Sequence, residues 1–267
     1  MNRAAFYETV LVSERKAARR SSVLVGAILL ASIAALATTG FFDAQRFAEA
    51  GPAIRQLASE MVPPDFGRWQ SWLRPLLDTL AMSIAGTVLA VMLSLPLALL
   101  AAPNTSPHAT VYFITRTLLA FLRSVPEIIL GVLFVAAVGF GALPGVLALA
   151  LHSVGMVGKF YAEAIEHVDP KPLEAARAAG ASPFQVITHA VLPQVLPQLT
   201  DVTIYRWEYH FRASAVLGIV GAGGIGFELM AALRLLNYDQ VSAILLSILA
   251  CVLVVDSIGA FLRKSLK

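Results

Sequence analysis

Charge is scarce in this chain. Asp, Glu, Lys and Arg make up 14% of its 267 residues, against about 25% in a soluble domain. That shortage excludes a soluble fold, because even a large core needs a polar shell. It excludes disorder too, since disordered chains are charged and poor in apolar residues. Cysteine is nearly absent. Cys251, the single copy, lies in an apolar run, so neither an intrachain disulfide nor a cysteine-based zinc site is possible. The clustered basic patch of a nucleic-acid binder is missing; the net charge of +3 is thinly spread, with small clusters at the two ends. Catalytic signatures are missing as well. There is no G-x-x-x-x-G-K-[ST], and Gly158-Lys159-Phe160 lacks its context; H-E-x-x-H and G-x-S-x-G do not occur. What is plentiful is apolar: 58% of residues are hydrophobic. The class left is an integral membrane protein.

The apolar runs are continuous rather than alternating, so they are helices and not barrel strands. A span needs about 20 mostly apolar residues to cross about 30 Å of hydrocarbon. Residues 21–42 qualify and carry no charge; the segment 1–20 before them holds Arg3, Arg15, Lys16, Arg19 and Arg20. Ala35-Leu36-Ala37 resembles a signal-peptide cleavage site, but the run exceeds the usual ~7–15-residue signal core, so it reads as an uncleaved first span. Residues 43–77 read as an external loop with a partly helical interfacial segment, Trp69 and Trp72 suiting the headgroup level. Further spans are expected near 78–101, 116–139, 143–163, 202–226 and 240–262, with Gly139 to Gly145 as the turn between the third and fourth. Residues 78–267 form the core of the chain. Lys and Arg gather at the termini, including Arg263, Lys264 and Lys267, and in the 159–177 region. The positive-inside rule makes both termini and the 164–199 loop cytoplasmic.

Charges inside spans are costly and face a partner or a cavity. Arg123 and Glu127 are four apart and suited to pair, as are Glu208 and Arg212. The alternative is that Arg116, Arg123, Arg206 or Arg212 offers its guanidinium to an oxyanion. His152 reads as a hydrogen-bonded bundle residue, and Asp78 and Asp256 as caps or structural partners. Gly221, Gly223 and Gly226 match G-x-G-x-x-G, but a dinucleotide site needs a strand before it and an acid about 20 residues on. Gly218, Ala222 and Gly226 instead form a small-residue row, suited either to plain helix packing or to local unwinding at a gate.

The 164–199 loop centres on Glu174-Ala175-Ala176-Arg177-Ala178-Ala179-Gly180. Alanine, Glu and Arg favour a helix, Gly180 its stop, and Pro183 a second short helix through about Val191, ended by Leu192-Pro193. This is either an ordinary interhelical loop or a knob of small side chains for docking into another protein.

The spacing of Glu174, Ala175, Ala176, Gly180, Leu192 and Pro193 resembles the EAA coupling loop of ATP-binding-cassette importer permeases. Ala190 departs from it, standing where that pattern has Ile. Residues 118–127, 205–208 and 212–226 are similar to the phosphonate/phosphate permease subfamily, and the likeness runs from about Leu76 onward. Methionine-type permeases share a related glycine-rich stretch.

The resemblance implies an all-α type I importer permease fold, methionine-permease-like, with six transmembrane helices in a bacterial inner membrane. It implies a second copy of the chain, two ATP-binding subunits holding ATP and Mg, an external binding protein, and no cofactor or enzymatic activity in this chain. The cargo expected is phosphonate, phosphate or a related phosphorus oxyanion. Methionine or another small solute is the alternative; a free-standing channel or an intramembrane hydrolase is the reading of a different class. The expected translocation path or gate comprises Arg123, Glu127, Arg206, Glu208, Arg212, Ser214, Gly221, Gly223, Gly224 and Gly226.

Overall fold

The structure, a computed structural model, describes residues 3–265; the side chains of 3–13, 15 and 17 lie outside that description. Arg3 and Arg15 of the basic start, and Lys267 of the basic tail, therefore fall outside the described side chains. The described residues are helical or irregular, with no strand. They divide into two units, Met1–Ser59 and Glu60–Lys267.

In the first unit, α1 covers Arg3–Thr38 and α2 covers Ala44–Glu60. The apolar part of α1, Ala18–Thr38, is 21 residues long, enough for about 30 Å. A turn at Gly40, where φ is +76°, separates the two helices. Asp43 caps α2 by accepting from the backbone N–H of Gln45 at 3.1 Å and of Arg46 at 3.4 Å.

The second unit contains α3 (Trp69–Ala101), α4 (Ala109–Ser124), α5 (Glu127–Val138), α6 (Ala142–Glu166), α7 (Pro170–Ala178), α8 (Pro183–Val186), α9 (Leu192–Leu217), α10 (Ile225–Arg234) and α11 (Tyr238–Ser265). Helices α3 and α6 pack along their lengths, and α9 lies against both. Four described helices are long and apolar enough to cross a membrane; the count is six when the bent pairs α4–α5 and α8–α9 with α10 each count as one span.

Several boundaries differ from the expectation. Helix α3 starts at Trp69, not at 78. Trp72 is 2% exposed and packs with Ile225 and Ile244, so its indole is buried in the protein core and not turned toward lipid. Burying an indole there extends the helix beyond its apolar run. The expected third span is two helices bent by 83°. Pro126 has no N–H to continue the ladder and pushes Val125 to φ −85°, ψ 119°. The expected fifth span is bent as well, by 56° between α9 and α10.

Leu192-Pro193 does not end a helix. It opens α9, which runs on from α8 through a π turn at Ile187–Val191. Pro193 lacks the N–H that would bond to His189, and its ring would press on that carbonyl. The wider π turn takes up the misfit, with the Leu192 N–H bonding to the Ile187 carbonyl.

Candidate functional site

The α7–α8 knob is built by its caps. Asp169 accepts from the Lys171 N–H at 3.0 Å and Pro170 opens α7. At the far end Gly180 adopts φ +82°. The Gly180 N–H bonds to the Arg177 carbonyl and the Ala181 N–H to that of Ala176, which is a Schellman stop. Ser182 and Gln185 then form a reciprocal capping box that starts α8. Leu173, 4% exposed, anchors α7 in a cluster with Tyr161, Ile165 and Val191. Glu174, Ala175 and Gly180 are left exposed, Ala176 is half-buried, and Phe184 stands beside them at 74% exposure. Four of the six nominated coupling residues therefore share one short, tethered element. Leu192 and Pro193 lie beyond it, at the start of α9.

The glycine stretch is unwound. A π turn at Gly218–Ala222 ends α9, and Gly221, Gly223 and Gly224 have φ of +100°, +76° and +70°. Those angles belong to glycine. Thr79 of α3 clamps the kink: its hydroxyl accepts from the Ile225 N–H at 2.9 Å and donates to the Pro75 carbonyl. The buried Ser214 hydroxyl sits 3.2 Å from the Thr79 carbonyl. A Cβ on Gly224 would come within 2.5 Å of the Thr79 hydroxyl oxygen. Gly226 faces Ala215 and Gly218 of its own bent segment. The small-residue row thus lets the chain fold against itself. Thr79 carries no signal in the sequence, being one of five hydroxyl side chains spread along an apolar helix.

The intramembrane charges pair differently from the expectation. Arg123 and Glu127 do not meet, because the Pro126 break places them on separate helices. Glu127 accepts instead from the Tyr209 hydroxyl at 2.5 Å, and its other oxygen lies 3.9 Å from His152 Nε2. His152 holds its bundle position by bonding to the Val125 carbonyl at 3.0 Å. Glu208 and Arg212 do not pair with each other either. Arg263 of α11 reaches Glu208 at 2.7 Å, and Arg212 reaches Asp256 of α11 at 2.9 Å. Arg116 bonds to Glu166 at 2.8 Å and to the Ala101 carbonyl at 3.1 Å. A facing helix outcompetes the next turn because it presents a fixed partner.

Arg206 is buried at the α6–α9 contact. Its Nε and Nη2 both donate to Ser153 Oγ, at 2.9 and 2.8 Å, and its guanidinium lies 4.3 Å from the centre of the Tyr209 ring. Ser153 Oγ is also 2.5 Å from His210 Nε2, and His210 Nδ1 is 2.7 Å from Thr87 Oγ1. Proton directions follow. Thr87 donates to the Ser83 carbonyl, so it accepts from a protonated Nδ1. His210 Nε2 is then bare and accepts from Ser153, whose oxygen receives Arg206. The chain of donors runs from Arg206 through Ser153, His210 and Thr87 to α3. Arg206 and Glu127 are therefore joined through Tyr209. Tyr209, which makes that connection, and Ser153 and His210, which tie Arg206 to α3, are not singled out in the sequence.

Comparison with known proteins agrees with this architecture. The family described as binding-protein-dependent transport system inner membrane component matches residues 94–267. The phosphite transport system permease protein of Stutzerimonas stutzeri is 62% identical over 246 residues, covering 92% of this chain and 88% of that protein. The phosphate-import permease protein of Mycolicibacterium smegmatis is 44% identical over 213 residues, covering 80% of this chain and 40% of that protein. Among solved structures, an inward-facing methionine ABC transporter matches with a TM-score of 0.67 at 21% identity, over 76% of this chain and 99% of that one. At that identity the likeness shows the fold alone.

Proposed function

Since the chain belongs to the family of binding-protein-dependent transport system inner membrane components, we propose that it is the permease of an importer for phosphite, phosphate or a phosphonate. The 62% identity over 92% of the chain to a phosphite permease carries this reading. The phosphate-import relative supports the same cargo class. The chain is a permease subunit and not an enzyme; ATP and Mg belong to a partner.

Two copies of the chain would enclose the pathway, two ATP-binding subunits would dock beneath it, and an external protein would deliver the anion. Both termini and the 164–199 loop would face the cytoplasm, with Glu174, Ala175, Ala176 and Gly180 taking the push from the ATPase. The exposed small side chains of α7 suit a close fit. The breaks at Pro126 and at Gly221 to Gly224 suit pivots, since each joins two rigid helices. Ser214 and Gly226 belong to the second pivot, Glu127 to the pathway wall with Arg206 buried behind it, and Glu208 and Arg212 to the α11 attachment.

Uptake of labelled phosphite, phosphate and a phosphonate, by cells with and without the chain, tests the cargo. At least one anion should enter only with the chain present. Uptake of labelled methionine in place of all three would overturn the reading.

A further inference from the structure

A small cavity of about 70 Å³ opens on the seam between α4 and α6. Three cations and one carboxylate line it: Arg116 and Arg123 from α4, and Lys159 and Glu163 from α6. The two arginines are seven residues apart, about two turns, and so share a face. The helices touch closely here. A Cβ on Gly155 would lie 2.5 Å from the Arg123 backbone nitrogen and 2.6 Å from the Leu119 carbonyl oxygen. Two of the cations are already neutralised, Arg116 by Glu166 at 2.8 Å and Lys159 by Glu163 at 3.4 Å. Arg123 is half-buried, and its side chain has no ion pair among the described residues. An unneutralised guanidinium within a membrane span is costly, and its planar fork matches a phosphate-type oxyanion.

We propose that this seam binds a phosphate-type oxyanion, held by Arg123 with Arg116 and Lys159 alongside. Sites for whole organic ligands run to about 300–1,000 Å³; this one holds a few waters and suits an anion of headgroup size. Two sources present that chemistry, a free phosphorus oxyanion and the phosphodiester of an anionic lipid. Lys159 lies about 10 Å along α6 from its end at Glu166, a depth within reach of lipid headgroups. The free-anion source rests on the cargo proposed above; the site itself rests on the cavity and the unpaired charge.

Full-length protein, with the subunits that co-purify with it, provides the test. Inorganic phosphate and phosphite are titrated in neutral detergent. In parallel, nanodiscs of phosphatidylcholine with and without phosphatidylglycerol are prepared, and retained lipid is counted by native mass spectrometry. One probe should bind the wild type, with Arg123→Gln weakening it at least tenfold, Lys159→Gln weakening it less, and Arg123→Lys, which keeps the charge but not the fork, falling between wild type and Arg123→Gln. Binding of phosphate or phosphite identifies a free anion, and retention of phosphatidylglycerol a lipid. Equal binding by wild type, Arg123→Gln and Lys159→Gln, or no binding of either probe by wild type, overturns the site. Lys159 is 41% exposed, so its variant keeps the test open if Arg123→Gln fails to fold. None of these readouts is uptake, so a failed site leaves the cargo standing, and a failed cargo leaves the site standing.

Discussion

At the residue scale, the burial of Arg206 sets the terms. It is 5% exposed, and its one acceptor among the described contacts is a serine hydroxyl. Removing that acceptor strands a buried charged donor, which costs about 1–3 kcal/mol or more. Ser153→Ala should therefore lower stability by at least that amount in a denaturation series of the purified protein, while Ser153→Thr should keep most of it. An unchanged Ser153→Ala would mean that Arg206 has another acceptor. Gly224 is constrained in a different way, by φ +70° and by Thr79. Gly224→Ala should cost about 1–3 kcal/mol, read as a lowered midpoint in the same series. None of this was legible from single residues. Arg206 stood out as a charge in a span, but Ser153 and Thr79 are ordinary until a neighbouring helix approaches them.

At the scale of elements, α9 is fixed to α11 by two ion pairs of unequal standing. Glu208 is 8% exposed where it meets Arg263. Arg263 is 28% exposed, so the pair is only partly buried; losing a hydrogen bond to a charged group costs about 1–3 kcal/mol, so Arg263→Gln should destabilise by about that much, and Arg263→Lys less. The one-turn pair Arg74–Asp78 is the internal control: its arginine is 85% exposed, and Arg74→Gln should change stability by less than about 1 kcal/mol. Equal losses in Arg263→Gln and Arg74→Gln would show that Glu208 is not held by Arg263 in the membrane. The order of helices, the Gly180 stop and the Pro183 start were legible, because caps and propensities act within a turn or two of sequence. The 83° bend at Pro126 is local too, but hydropathy does not reveal it. The apolar run continues on both sides of it, and length alone favoured one straight span.

At the scale of the whole molecule, the tethered α7–α8 knob is the feature that predicts an assembly. Ala175 is exposed, and Leu173 beneath it carries the packing. Ala175→Arg should leave the permease folded and prevent an ATP-binding subunit from co-purifying with it. Co-purification at the wild-type level would remove α7 as the docking element. The sequence by itself determined the class of protein, the six apolar stretches and the place of the knob. Each of these depends on composition or on residues within a few positions of one another. Tertiary structure alone decided which charges pair, and that Trp72 and Thr79 belong to the core. Those outcomes depend on helices far apart in the chain, and a facing helix competes with the next turn only once the bundle has formed.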